Sequence, residues 1–258
     1  MKTVTFKFIG LVFIFCALLI SCETAVDDRP TVSEDELPED KSDLSAYAKI
    51  HIEAQLQIPA TEKYTLTILK ENLDGDDKKD AVIIVNRYEF AINEAAKSNN
   101  PAKNAALGFM GNYNYMFYFD GGLNMISPAI NIPSSPILPL QVSFAYISST
   151  LYKDILIDFR IRNASYKDFF TVIHHTPRRI FQWKNFDGLG TQETEAYTFK
   201  FENSEYAPQK DILVYKAKIQ AINPEIDVNI LNPKLENTNE LAYRFFYLAQ
   251  EGKYVTKK

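Results

Sequence analysis

The sequence predicts a mainly β fold with minor α, built as a sandwich or as a partial, propeller-like stack of antiparallel sheets. Two observations carry this expectation. The chain has 15 Tyr and 18 Phe, whose bulky rings suit a pleated, half-buried surface better than a helix. Short apolar or alternating runs bounded by Gly, Pro, Asn and Asp recur along its length, the spacing of a sandwich. No internal repeat is visible, which counts against a full propeller.

The elements follow in order. Residues 43–57 start as a short helix: Asp43 can cap it, and Leu44, Tyr47, Ile50 and Ala54 lie near helical spacing, although Ile50-His51-Ile52 also alternates like a strand. YTLTIL at 64–69 alternates as a strand, and AVIIV at 81–85 is apolar enough for a buried one. Residues 90–97 and 102–107 are Ala-rich and helix-like, broken by Asn99-Asn100-Pro101. YNYMFYF at 113–119 is a strand ending at the turn Asp120-Gly121-Gly122. Pro128, Pro133, Pro136 and Pro139 punctuate a loop over 127–139 that covers an edge or divides two subdomains. Further strands are expected at 140–146, 154–162, 169–174, 179–183, 196–201, 212–219, 242–248 and 253–256, the last two as a hairpin across Gln250-Glu251-Gly252.

The start of the chain carries an address rather than a fold. Lys2 and Lys7 precede an uncharged run of 13 residues at 8–20, then Ser21 and Cys22. This is the order of a secretory signal, and the run is short of the ~20 residues of a spanning helix. Leu19-Ile20-Ser21-Cys22 resembles a bacterial lipobox, which implies cleavage before Cys22 and its lipidation; residues 1–21 are then a signal peptide. Several acyl chains, at ~0.8 kcal/mol per buried methylene, hold such a protein firmly on a bilayer. Cys16 lies in the signal, so a chain beginning at Cys22 keeps no other thiol for a disulfide, a cysteine zinc site or a cysteine nucleophile.

Charge is distributed unevenly. Residues 23–43 hold nine acids against Arg29 and Lys41, while 44–258 sum to zero. Like charges with few apolar residues make 22–43 a solvated tether. The stretch is similar to the acidic segment behind the lipidated cysteine of Bacteroidetes-type lipoproteins, which implies the outer membrane, on its periplasmic or cell-surface face. A plain spacer is the alternative. Nothing is basic enough to suggest nucleic acid, and 44–258 can bury a core as one large or two small domains.

One segment carries chemistry. In the nonamer Asn72-Leu73-Asp74-Gly75-Asp76-Asp77-Lys78-Lys79-Asp80, oxygen-bearing side chains stand at positions 1, 3, 5 and 9. Calcium takes six to eight oxygens at ~2.3–2.6 Å, and alternate side chains of a tight loop can converge on it, with a backbone carbonyl near Lys78. Gly75 permits the left-handed turn that closes the loop. It is not an EF-hand, because Asp77 replaces the glycine of position 6 and Ile83 the glutamate of position 12. The segment resembles the calcium loops of FG-GAP and VCBS-type repeats, over about 20 residues. Asn72 replaces their usual first Asp, and Asp77 stands where a second Gly is common. That resemblance implies a structural Ca²⁺ held by Asn72, Asp74, Asp76, Lys78 and Asp80, with a dissociation constant of about 10⁻⁵ to 10⁻³ M. The alternative is a hairpin turned by Asp74-Gly75, with Asx side chains bonding their own backbone.

Other signals are weaker. His174 and His175, placed in a strand, point to opposite faces and cannot easily share a metal. Tyr113, Tyr115, Phe117 and Phe119 share one strand face, which suits a core better than a sugar platform, and Trp183 reads the same way. No nucleophile elbow, phosphate loop or dinucleotide fingerprint is present. The expectation is a non-enzymatic, membrane-tethered module binding a protein or a glycan. The alternative is a polysaccharide-acting hydrolase with scattered carboxylates.

Overall fold

The computed structural model describes residues 43–223 and 225–256. The signal segment, Cys22 and the acidic tether up to residue 42 lie outside the described residues. The described chain is mainly β with minor α, in two antiparallel sheets. In chain order its elements are α1 (Leu44–Gln55), β1 (Thr65–Glu71), β2 (Asp80–Asn86), α2 (Tyr88–Lys97), α3 (Pro101–Gly108), β3 (Asn114–Asp120), β4 (Met125–Ile126), β5 (Ile130–Asn131) and β6 (Gln141–Ala145). There follow β7 (Asp154–Ile161), β8 (Ala164–Ile173), β9 (Thr176–Asp187), β10 (Glu195–Asn203), β11 (Lys210–Ile219), β12 (Leu235–Leu248) and β13 (Lys253–Val255).

The helical reading of the first segment prevails over the alternating one. The Asp43 carboxylate accepts from the Ser45 and Ala46 backbone N–H groups, so two donors without helical partners are satisfied. Leu44, Tyr47, Ala48 and Ile52 then fall on one buried stripe. α3 begins the same way, on Asn100 with Pro101 in the first turn.

The smaller sheet runs β1-β2-β3-β4, with β5 also on β3; the larger is a meander in the order β13-β12-β11-β10-β9-β8-β7-β6. Period-2 alternation sorts their side chains into layers. Val82, Ile84, Met116 and Tyr118 of the small sheet meet Ile155, Ile157 and Phe170 of the large one in a core between the sheets. Ala81, Ile83, Val85, Phe117 and Phe119 point the other way, onto Leu44, Tyr47 and Ile52 of α1. β2 and β3 are therefore buried on both faces, which is why they read as nearly continuous apolar runs.

On its far side the large sheet curls over a third cluster containing Leu156, Phe169, Phe181, Ile212, Val214 and Phe245. Phe181 of β9 and Tyr254 of β13 meet with ring centroids 6.0 Å apart. β9 is longer than the expected 179–183 because Thr176, Pro177 and Arg178 at one end and Lys184 and Phe186 at the other also stand in register with β8. Burial alone does not define strand length. The segment 127–139 runs along β3: Asn86 Nδ2 donates to Asn114 Oδ1 and to the Pro136 carbonyl, at 2.7 and 2.9 Å.

Two buried carboxylates set a pH dependence. Asp154 accepts from the Ile147 and Ser148 backbone N–H groups and the Ser148 hydroxyl. Asp168 accepts from Gln182 at 2.6 Å and Arg179 at 3.3 Å. Burial outweighs these donors and raises the pKa of both. An acid with a raised folded pKa binds its proton more tightly in the native state, so stability increases as pH falls through that folded value towards the ordinary carboxylate range. Chelator-treated protein should thus show a higher urea midpoint just above the ordinary carboxylate range than at pH 7. A midpoint that only falls on acidification would contradict this assignment.

Candidate functional site

Three hairpin connections converge at one place. The register pairing Glu71 with Asp80 puts residues 72–79 between β1 and β2, and pairing of Ala81 with Phe119 brings Asp80 and Asp120 to the same end of adjacent strands. Like charges at neighbouring strand positions repel unless something compensates them. The β8–β9 turn supplies the third connection.

Within the nonamer, backbone N–H groups aim the acids. Asp74 Oδ1 accepts from Asp76 N at 3.0 Å, and Asp76 Oδ1 from Lys78 N at 2.6 Å. Asp80 is fully buried; its Oδ2 accepts from Leu73 N at 2.9 Å and its Oδ1 from Gly121 N at 3.0 Å, tying the first loop to the second. Gly75 has φ +86°, the left-handed conformation the loop requires. The Tyr118 hydroxyl donates to Asp74 Oδ2 at 3.2 Å. Burial and the surrounding carboxylates push the Tyr118 phenol far up, so it stays a donor. Asp80 is pushed up by burial, with Asp74 adding to the effect and the two backbone donors opposing it.

Asp74, Asp76 and Asp80 each present an oxygen within 4.8 Å of the others. The other two residues of the sequence set lie differently. Asn72 Oδ1 accepts from Gly75 N at 3.2 Å and its Nδ2 donates to the Asp76 carbonyl, so this side chain closes the loop on itself. Lys78 contributes its backbone N–H to Asp76.

Asp74 also groups with Asp120 and His175, again within 4.8 Å. Asp120 is 3% exposed; its Oδ1 accepts from Leu123 N at 2.7 Å, and its Oδ2 is 2.6 Å from His175 Nδ1. The placement of His174 and His175 in a strand is corrected. Both have positive φ, 49° and 63°, and form the two-residue turn between Ile173 and Thr176. Two left-handed residues match the twist of the flanking strands, and this turn sends His175 to Asp120. The sequence signal for Asp120 was its place beside two glycines, which reads as a turn; that for His175 was its pairing with His174, set aside because a strand would point the two to opposite faces.

The chemistry of the donor set fits a hard cation. A carboxylate oxygen that accepts one orienting hydrogen bond keeps a second lone pair for a cation. Asp74, Asp76 and Asp80 give the all-oxygen set that Ca²⁺ prefers, whereas Asp74, Asp120 and His175 mix nitrogen and oxygen as transition metals do. Each of five clefts of ≈ 240–620 Å³ on the described surface has at most one carboxylate in its lining. The aromatic strand face is largely core, as expected: Phe117 and Phe119 are buried, and Tyr115 packs against the same cluster.

Fold and site together define a layered β domain with an acidic cluster where its turns meet. Compared with family models, curated proteins and solved structures, the chain gives no match.

Proposed function

We propose that this chain is an exported, membrane-tethered lipoprotein whose β-rich domain is a non-enzymatic binding module clipped by one structural calcium ion. The observation that carries the calcium reading is the convergence of Asp74, Asp76 and Asp80 within 4.8 Å. Three carboxylates at that spacing repel, and a divalent cation compensates them. The ion would join the β1–β2 loop to the β3–β4 turn through Asp80, whose oxygens already face both.

Calcium titration of the purified full chain tests this by calorimetry and thermal melt. Binding is expected to be saturable at one ion per chain. At a free concentration near 100 times the dissociation constant, linkage adds ~2.7 kcal/mol, which raises the melting temperature by roughly 5–10 °C. The Asp74→Ala/Asp76→Ala chain should show neither effect. No heat and no shift at millimolar calcium would leave the loop a plain Asx-stabilised turn.

The tether rests on Leu19-Ile20-Ser21-Cys22 and the acidic segment behind it. Palmitate fed to producing bacteria is expected to label the wild-type chain and to leave the Cys22→Ser chain unlabelled. Equal labelling of both would refute lipidation at Cys22.

A further inference from the structure

A second feature shares no residue with the acidic cluster. On the face of the large sheet that carries Leu156 and Phe169, register aligns Gln141, Asp158 and Lys167 across β6, β7 and β8, and Arg160 beside Ser165 one step further on. With Asn185 of β9 these polar groups form one wall of a pocket of ≈ 240 Å³, closed by the segments around Pro139 and Pro233. On one side of this polar island lies the aromatic cluster around Phe181, and on the other the small apolar cluster around Phe186.

Arg160 is the unusual member. It is 6% exposed, and no carboxylate lies within ion-pairing range among the described residues. Its guanidinium donates to the backbone carbonyls of Arg162, Val228 and Leu231 and lies 4.8 Å from the Phe186 ring centroid. Its Nε–H is buried without an acceptor. Carbonyls and a ring offer dipoles and no counter-charge, and burial lowers the Arg160 pKa to about 10. An arginine is seldom buried without a charged partner. Lys167 and Asp158 neutralise each other at 2.6 Å, so the pocket keeps one net positive charge. Asn185 Nδ2 donates to Asp158 Oδ1 and to Ser165 Oγ, while Gln141 stands exposed at the mouth.

We infer that this pocket binds a small oxyanion, a carboxylate or phosphate group carried on a hydroxylated molecule, with Lys167 and the field of Arg160 holding the anion and the amides of Gln141 and Asn185 reading the hydroxyls. Asp158 competes with the ligand for Lys167, so its removal frees a cation. A purely structural Lys167–Asp158 pair would leave anion affinity unchanged in either variant.

The test is titration of D-glucuronate, inorganic phosphate and neutral D-glucose into the full chain, its Lys167→Met variant and its Asp158→Asn variant. One anion per chain is expected, weakened about tenfold by Lys167→Met and tightened several-fold by Asp158→Asn, the size of effect that follows when one charge-assisted hydrogen bond to the anion is removed or relieved of its competitor. Glucuronate alone identifies a carboxylate on a sugar-like carrier, and phosphate alone a phosphate ligand; either supports the pocket. No binding of either anion at millimolar concentration, glucose binding equally well, or affinity unchanged in both variants would overturn it. Calcium plays no part in this titration, so its outcome is separate from that of the loop.

Discussion

Phe169→Ala is expected to destabilise the domain by about 3–5 kcal/mol and to lower its melting temperature by roughly 10 °C. Phe169 is fully buried on β8 at the centre of the curled sheet. Its ring meets those of Phe181, Phe199 and Phe201 at centroid distances of 5.2, 5.8 and 6.1 Å, each close to edge-on. Removing it costs the transfer free energy of the ring, the edge-to-face packing and a cavity that three strands cannot collapse to fill. Leu151→Ala is the control: Leu151 is 75% exposed, and its truncation should stay within about 0.5 kcal/mol. Urea denaturation measures both, and a Phe169→Ala cost below that of a surface change would show that the curled half of the sheet is loosely packed.

Gly121→Ala is expected to separate the two loops that Asp80 ties together. A β-carbon at Gly121 would overlap the Lys79 backbone carbonyl, which no side-chain rotation can relieve. The β3–β4 turn must then move away from the nonamer. Stability should fall by about 1–3 kcal/mol, the range for overpacking. On the calcium reading, the ion loses affinity by about tenfold or more, because displacement of the turn takes away the Gly121 N–H that orients Asp80. Calorimetry on the variant decides it: undiminished calcium binding would mean that the three nonamer aspartates hold the ion without help from the turn. At Gly122 the added carbon meets the Asp76 carboxylate and, less closely, Asp120 Oδ1, the ends of side chains that can swing, so Gly122→Ala should cost less stability than Gly121→Ala, while on the calcium reading the shift of Asp76 weakens the site as well.

Much of the architecture was legible along the chain because hydrophobic periodicity is a local property. AVIIV read as a buried strand and YNYMFYF as a strand, and β2 and β3 lie side by side at the centre of the small sheet. Asp43 capped the helix it was expected to cap. Less legible were the ends of β9 and β12, where charged and polar residues extend the strands through ladder pairing with the adjacent strand. The period of two also misled at His174-His175: alternation assumes a continuing strand, whereas Ile173 pairs with Thr176 and leaves just these two residues for the turn.

The site divides in the same way. By itself the sequence determined the nonamer with its alternating oxygens and its glycine, and the run Leu19-Ile20-Ser21-Cys22 on which the proposal of lipidation rests, since each is a short contiguous stretch whose chemistry depends on neighbours along the chain. Only the tertiary structure decided that Asp120 and His175 stand beside Asp74, that Asn72 turns inward on its own loop, and that Arg160 is buried among carbonyls without a counter-charge. Those facts depend on strand register and on how one sheet curls. Register is set by the packing of the whole core, so no window of sequence contains it.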